Sequence, residues 1–306
     1  MRPSTGNGLP PAIAGRGPVH TSRTDIQTIG LVYNAQVERS RGLTQEIADW
    51  LETRDVTNWA CTMLDYAEHC PAADLIVILG GDGSILRVAQ RAAPAGIAIL
   101  GINLGRVGFL TEAAPDAWQT TLQRVLNGEG EVETRMMLCV SLLRGGVLVA
   151  QEQALNDAVI SRGALARTVR LLAFVDGAFV TRYVADGLIL ATPTGSTAYA
   201  YAVGGPILPP WLENIVLIPA APHLSLERPF VLDAEAVVDV RVETEMEGML
   251  SVDGRMEGEL HNGDIVRVER SAIKARFLRL RSRNGFYDTL VERLTPHNGE
   301  VHDRTD

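Results

Sequence analysis

Lysine is almost absent from this sequence: Lys274 is the only one, although lysine and arginine together number 28. A basic surface for nucleic acid is also missing, because acidic residues outnumber basic ones and the formal charge is −9 at pH 7. Since phosphate contacts dominate the affinity of proteins for nucleic acids, these values argue against a nucleic-acid partner. Any pocket for a small phosphorylated ligand must therefore rely on arginine.

Cysteine is scarce as well. The three cysteines, Cys61, Cys70 and Cys139, form no CxxC pair, so the sequence supports neither a disulfide framework nor a structural zinc site. We therefore predict no metal site built by the protein itself and expect a reducing, cytoplasmic location. The sequence also lacks an apolar signal segment and a membrane-spanning run, and we expect no membrane association.

Apolar runs typical of strands alternate with segments of helical spacing in the first half of the chain. The strand-like runs are residues 29–33, 74–79 and 97–101, and the helix-like segments are residues 43–54, 85–93 and 115–126. Continuous apolar strands that alternate with helices predict a parallel sheet covered on both faces.

The second half of the chain consists mainly of strand-like runs separated by turn signals. These runs are residues 169–175, 179–184, 188–191, 236–242, 248–252, 264–268 and 275–281. We predict a Rossmann-like α/β domain at residues 27–128 and a β-rich domain at residues 129–281. Residues 1–26 are expected to be a flexible extension, and residues 282–306 a C-terminal helix and tail that packs back on the first domain.

The motif GGDGS at residues 80–84 directly follows an apolar strand-like run. Asp82, enclosed by glycines, lies where phosphates can approach bare backbone, so it is a candidate base or metal contact at a reacting phosphate. The alternative is a simple turn into a helix capped by Ser84, but three glycines exceed what a turn needs. Arg87, one helical turn after Ser84, can reach back to a phosphate at the helix N-terminus. No Walker A sequence is present.

A second motif, GINLGRVGFLTE at residues 101–112, follows the third strand-like run. On a parallel sheet it lies at the same carboxyl edge as Asp82, where open α/β sheets bind ligands. The alternative, an ordered crossover loop with Phe109 and Leu110 packed as core, remains open.

The third motif, ADGLILATPTGSTAY at residues 185–199, contains the segment PTGST, which places three hydroxyl side chains at the start of a helix-like segment. Only one hydroxyl can cap a helix, so a cap alone does not explain all three. The small side chains of Ala198 and Ala200 allow a base or ribose to approach the backbone closely.

Two shorter pairs complete the candidates. Asn156 and Asp157 precede a strand-like run, where an amide can pair with adenine and a carboxylate can accept ribose hydroxyl protons, although Asn-Asp is most often a turn. Asp253-Gly254 predicts a hairpin turn.

Taken together, these motifs resemble, in kind and in order, those of the NAD kinase family, whose members use ATP or polyphosphate to phosphorylate NAD to NADP. PAAPH at residues 219–223, followed by Arg228-Pro229, is a fifth match, and the likeness covers residues 28–294. The glycine-rich motif alone is shared with lipid kinases and phosphofructokinases, and the motif at residues 185–199 is the specific one. The resemblance implies an active site between the two domains, in a homodimer or homotetramer.

The resemblance also assigns roles to individual residues. Asp82 takes the proton from the 2′-hydroxyl of the adenosine ribose, Gly81 and Gly83 leave room for phosphates, and Arg87 supplies positive charge. Magnesium arrives with the ATP or polyphosphate donor. The residues implied at NAD are Phe109, Asn156, Asp157, Thr194, Thr197 and Tyr199 around the adenosine, and Asp186 and Ala198 on the nicotinamide-ribose side.

One position departs from the family pattern, which more often has glutamate where Asp157 stands. The shorter side chain moves the carboxylate by about the length of one C–C bond. Two other functions stay open at this point: a lipid-kinase-like enzyme, which needs an apolar acyl pocket, and a non-catalytic NAD(H)-binding sensor, which needs a damaged catalytic motif.

Overall fold

Two β-sheets organise the chain, as seen in a computed structural model that describes residues 26–68, 72–105, 108–163, 168–223, 226–244 and 247–294. The predicted flexible extension lies outside these residues except for Ile26, as does the predicted tail beyond residue 294. The expected combination of an α/β part and a β-rich part is confirmed.

The N-terminal part contains four parallel strands in the order β2-β1-β3-β4, with helices on both faces. The strands are β1 (Thr28–Tyr33), β2 (Thr57–Thr62), β3 (Leu75–Leu79) and β4 (Ala98–Ile102). The helices are α1 (Glu38–Glu52), α2 (Met63–Glu68), α3 (Asp82–Ala92) and α4 (Trp118–Leu126). Sequence analysis missed β2, because this edge strand is only half-buried and lacks a continuous apolar run.

The rest of the chain contains twelve further strands within the described ranges. They are β5 (Glu131–Arg144), β6 (Val147–Ala154), β7 (Asp157–Arg162), β8 (Val169–Val175), β9 (Ala178–Ala185), β10 (Gly187–Ala191), β11 (Asn214–Ala220), β12 (Phe230–Asp233), β13 (Val238–Glu243), β14 (Gly248–Val252), β15 (Arg255–Leu260) and β16 (Ile265–Arg279). The remaining helices are a 3-10 turn (Gly195–Thr197), α5 (Tyr199–Ala202) and α6 (Gly285–Leu294).

One long strand, β16, joins the two halves of the chain. It pairs in parallel with β4 through Arg276 and Phe277, and antiparallel with β5 and β13, so the first sheet continues as β4-β16-β13-β8-β9. The two strands predicted at residues 264–268 and 275–281 are parts of this single strand, which has a register shift between Arg270 and Lys274. The domain boundary at residue 128 stays a prediction, because hydrogen bonds of one sheet cross it.

The second sheet is antiparallel, in the order β12-β11-β10-β7-β14-β15. A buried apolar cluster that includes Leu138, Leu171, Leu188 and Val240 fills the space between it and the C-terminal part of the first sheet. Two other clusters lie on opposite faces of the parallel strands, one under α1 and α4 and one under α3. The parallel sheet is therefore covered on both faces, as predicted.

Helix α6 packs near the carboxyl edge of the parallel strands. The ring of Phe286 lies 6.2 Å from that of Phe109 and 5.9 Å from that of Trp211. Among the helices of the described ranges, none is long and apolar enough to cross a membrane.

Candidate functional site

Asp82 is the first residue of α3, and two glycines separate it from the buried strand β3. Gly81 precedes the helix in an extended conformation, with φ −93° and ψ −172°. The helix therefore begins before Ser84, and the simple alternative of a turn capped by Ser84 is wrong. The Asp82 carboxylate lies at the positive end of the α3 dipole, where negative charge is stabilised.

The second motif meets Asp82 directly. The backbone N–H of Phe109 donates to Asp82 Oδ2 at 3.0 Å, and that of Leu110 donates to Asp82 Oδ1 at 3.1 Å. A Cβ on Gly108 would overlap the Asp82 carboxylate, so only glycine permits this approach. The structure thus brings the two loops together at the carboxyl edge of the sheet, and two amides fix the orientation of the carboxylate.

Gly81 and Gly83 leave open space beside Asp82. Both are exposed, and a Cβ at either position would meet no protein atom among the described residues. Gly80 differs, because a Cβ there would overlap the Ser84 hydroxyl. Gly80 is needed for packing, whereas Gly81 and Gly83 face space that a ligand can occupy.

Positive charge around Asp82 comes from arginines, as the shortage of lysine predicted. The Arg293 guanidinium on α6 lies 3.8 Å from Asp82 Oδ2 and over the Phe109 ring, 4.9 Å from its centroid. Arg135 is buried and pairs with Glu133 at 2.8 Å; burial lowers the pKa of Arg135 to about 10, which leaves it charged at neutral pH.

Arg279 holds the second motif in place. Its guanidinium donates to the Leu110 carbonyl at 3.1 Å and to Glu112 Oε2 at 3.1 Å. The Glu112 carboxylate also accepts the backbone N–H groups of Leu280 and Arg281. The loop that orients Asp82 is therefore tied to the end of β16.

Arg87 lies on the exposed side of α3 and makes no hydrogen bond or ion pair with the described part of the chain. It follows Asp82 by five residues, which places it about 140° around the helix axis from Asp82. Its predicted contact with phosphate depends on the long side chain reaching back past the helix N-terminus.

Asn156 and Asp157 are held by a residue that sequence analysis assigned only to a turn. The Asp253 carboxylate accepts the backbone N–H groups of Leu155 at 2.9 Å, Asn156 at 2.7 Å and Asp157 at 3.2 Å. Asp253 has φ 48° and Gly254 φ 74°, which confirms the hairpin turn between β14 and β15. Nothing in an Asp-Gly pair signals that its carboxylate supports a strand about 100 residues earlier.

The Asp157 carboxyl is buried close to that of Asp253. Burial, together with the negative charge of Asp253, raises the pKa of Asp157 to about 7. Burial also raises the pKa of Asp253, although four hydrogen-bond donors oppose the shift. At neutral pH, the Asp157 carboxyl is therefore close to its pKa. The protonated form can donate a hydrogen bond, whereas the ionised form can only accept one.

The third motif begins against Asn156. The Thr192 backbone N–H donates to the Asn156 carbonyl at 2.8 Å, and the Thr192 hydroxyl donates to the Leu155 carbonyl at 2.6 Å. A Cβ on Gly195 would overlap the Asn156 backbone, so glycine permits the two segments to touch. The Asn156–Asp157 pair and residues 192–199 thus form one continuous surface.

The hydroxyls of the third motif have different local roles. The Ser196 hydroxyl is fully buried, donates to Pro193 and accepts the Leu208 N–H, so it is structural. Thr194 is buried, and the Thr197 hydroxyl donates to the Thr194 carbonyl at 3.3 Å. Ala198 is half-buried, whereas Tyr199 is 47% exposed and presents its ring to solvent.

Asp186 lies at the opposite end of β10 from Thr192. Six residues of extended chain separate the two, which corresponds to about 20 Å. Asp186 forms an ion pair with Arg162 at 3.2 Å. Within one chain, the structure therefore does not bring Asp186 together with Asn156, Asp157 and residues 192–199.

One group of side chains among the described residues has the composition of a metal site: Glu247, Glu259 and His261. All three are exposed, and no other feature of this cluster indicates a ligand. We assign it no function.

A carboxylate at a helix start beside open glycines, together with a hydroxyl- and amide-rich surface, is the arrangement expected of a nucleotide-binding enzyme. Comparison with known proteins specifies the kind. The family model for the ATP-NAD kinase N-terminal domain matches residues 64–130, and that for the ATP-NAD kinase C-terminal domain matches residues 155–280. The NAD kinase of Geotalea daltonii is 39% identical over 272 residues, covering 85% of this chain and 96% of the relative.

The NAD kinase of Moorella thermoacetica is 40% identical over 284 residues, covering 88% of this chain and 89% of the relative. The chain belongs to the NAD kinase family. The crystal structure of yeast NADH kinase complexed with NADH has the same fold, with a TM-score of 0.78 and 24% identity over 92% of this chain and 91% of that one. The crystal structure of an NAD kinase from Archaeoglobus fulgidus in complex with ATP is also similar, with a TM-score of 0.68 and 31% sequence identity. The match covers 86% of this chain and 97% of that one.

Proposed function

We propose that this NAD kinase transfers the terminal phosphoryl group of ATP to the 2′-hydroxyl of the adenosine ribose of NAD, giving NADP. The observation that carries the proposal is the place of Asp82: a fixed carboxylate at a helix start that faces the open space beside Gly81 and Gly83. The family relationship supports the choice of NAD as acceptor.

Asp82 acts as the base. The ribose oxygen bonds to the terminal phosphorus while the bond from that phosphorus to the bridging oxygen breaks, ADP leaves with the bond electrons, and the hydroxyl proton passes to Asp82. In a loose phosphoryl-transfer transition state the proton leaves late, so positioning and charge stabilisation supply most of the rate. The backbone N–H groups of Phe109 and Leu110 fix the orientation of the Asp82 carboxylate, which suits its role as the base.

Asn156 and Asp157 hold the adenosine. The Asn156 amide offers a donor and an acceptor to adenine, and the Asp157 carboxyl lies next to it on the same supported segment. Phe109, Thr194, Thr197 and Tyr199 complete the adenosine pocket. Ala198 binds on the nicotinamide-ribose side, and the Asp186 that joins it there comes from a second chain of the proposed homo-oligomer, because the two positions lie far apart within one chain.

The phosphates of the donor lie over Gly81 and Gly83, with positive charge from Arg87. Magnesium enters as part of MgATP, and its contacts there are to phosphate oxygens and water. Polyphosphate is the alternative donor. We further propose that the enzyme works in the cytoplasm as a homodimer or homotetramer.

The direct test is NADP formation by the purified protein. NAD and MgATP or magnesium polyphosphate are supplied, and NADP is measured with a strictly NADP-dependent dehydrogenase. No product above background with either donor would overturn the proposal, and NAD binding without turnover would leave an NAD(H)-binding sensor.

The role of Asp82 is tested by Asp82→Asn, which keeps the size of the side chain but removes the base. We expect turnover to fall by about 10²-fold or more while NAD still binds. Asp49→Asn, an exposed position on α1, is the control and should keep full turnover. Unchanged turnover in Asp82→Asn would show that another group takes the proton.

A further inference from the structure

A second charged side chain faces the reacting position from the far end of the sequence. Arg293 lies in the last turn of α6, and its Nη1 atom is 3.8 Å from Asp82 Oδ2. This distance is that of an ion pair rather than of a charge-assisted hydrogen bond, which measures about 2.7–2.9 Å. The 211 residues between the two positions explain why no local motif pointed to the pair.

Aromatic contacts fix the position of this arginine. Its guanidinium stacks over the Phe109 ring, 4.9 Å from the centroid, and Phe109 itself bonds to Asp82 through its backbone. Phe286 and Tyr287 at the start of α6 contact Trp211 at 5.9 and 6.2 Å, which anchors the other end of the helix. Stacking restricts the plane of the guanidinium, so it is presented in a defined orientation.

Distance places Arg293 within reach of the transferred phosphoryl group. A hydroxyl bonded to Asp82 lies about 2.8 Å from the carboxylate, and the phosphorus that it attacks lies about 3–3.5 Å further on. The phosphorus therefore lies about 6 Å from the carboxylate. A guanidinium 3.8 Å from Asp82 Oδ2 can reach the oxygens around it.

The other cations near Asp82 occupy different positions. Arg135 is 4% exposed and pairs with Glu133, and Arg279 bonds to the backbone of the second motif and to Glu112, so both lie behind the loop. Arg87 lies on the exposed side of α3, about 140° around the helix axis from Asp82. The Arg293 side chain is 37% exposed, so it is open to solvent beside Asp82.

We propose that Arg293 is a catalytic residue that binds the phosphoryl group during its transfer and stabilises its developing negative charge. The inference rests on the proposed function, because it takes the phosphoryl donor and the role of Asp82 from it. An arginine that contacts a transferring phosphoryl group accelerates such reactions strongly, since catalysis there is mainly positioning and charge stabilisation.

The test compares two substitutions of Arg293 with one control. Arg293→Met keeps an unbranched stem over Phe109 but removes the charge, and Arg293→Ala opens space for added guanidinium. Arg91→Ala removes an exposed arginine from the last turn of α3 and serves as the matched control. Turnover and KM are measured first with saturating NAD and varied MgATP, and then with saturating MgATP and varied NAD.

We expect kcat of Arg293→Met to fall by about 10²-fold or more, with KM for NAD within about threefold of wild type. Free guanidinium should raise the turnover of Arg293→Ala but not that of wild type or Arg91→Ala, which a purely structural role of Arg293 would not produce. Turnover of Arg293→Met within about threefold of wild type, or no rescue of Arg293→Ala, would overturn the inference. Wild-type protein that forms no NADP would instead overturn the proposed function.

Discussion

Gln90 Nε2 donates a hydrogen bond to Asp253 Oδ2 at 2.8 Å. Gln90 belongs to the helix that begins with Asp82, and Asp253 holds the backbone of Asn156 and Asp157. The same Gln90 amide also donates to the Gln153 carbonyl at 2.7 Å. A single helix therefore positions the proposed base at one end and supports the proposed adenosine site near the other.

The first prediction concerns Asp253, which satisfies three backbone N–H groups. Asp253→Ala leaves them without their acceptor, and each unsatisfied buried donor costs about 1–3 kcal/mol. We expect the affinity for NAD to fall about tenfold or more, because Asn156 and Asp157 lose their support. Binding is measured by calorimetry and the free energy of unfolding by chemical denaturation.

Asp176→Ala is the matched control for Asp253→Ala. Asp176 also begins an Asp-Gly turn with positive φ, at 51°, but within the described ranges its carboxylate accepts only the Val237 N–H. Both substitutions therefore carry the same backbone strain, and Asp253→Ala should lower the free energy of unfolding by about 2 kcal/mol more. Equal losses of NAD affinity in the two variants would contradict a specific role of Asp253.

The second prediction follows from the pKa of Asp157, which is raised from 3.8 to about 7 in the folded chain. A raised pKa contributes stability that is fully present below pH 4 and is lost as the pH rises through 7. The substituted side chain of Asp157→Asn does not ionise, so this variant does not lose stability in the same way. The free energy of unfolding of the variant minus that of wild type should therefore increase by roughly 2–4 kcal/mol from pH 5 to pH 8. Denaturation at both pH values measures the difference, and a difference that does not change with pH would refute it.

Binding of NAD should also depend on this carboxyl, which is the third prediction. The ionised Asp157 is a stronger acceptor than the protonated form for a hydroxyl of the adenosine ribose, so the affinity of wild type for NAD should rise about tenfold between pH 6 and pH 8. Calorimetry in buffers of different ionisation enthalpy should show that a proton is released on binding. In Asp157→Asn we expect neither the pH dependence nor the proton release; their persistence would assign them to another group.

Only some of the strands could be predicted, and sites built by distant residues could not. Strands β3 and β10 are buried along their whole length and were found from sequence, but β11, which is just as apolar, was missed. The half-buried β2 was also missed, as were β5, β6, β12 and β15. The meeting of Asp82 with the second motif followed from the edge of a parallel sheet. The support of Asn156 by Asp253, and of Asp82 by Arg293, spans 97 and 211 residues, and no spacing in the chain indicates such contacts.

The last prediction concerns the close packing of Gly108 against Asp82. A methyl group at residue 108 would overlap the Asp82 carboxylate, so Gly108→Ala must push that side chain away from the amides of Phe109 and Leu110. We expect turnover to fall by about 10²-fold, because the carboxylate is no longer held in the orientation that accepts the proton. The affinity for NAD should stay within about threefold of wild type. Gly105→Ala lies in the same loop, where a Cβ meets no atom, and should keep full turnover. Steady-state kinetics of the two variants decide the matter: equal turnover would mean that the position of Asp82 does not limit the reaction.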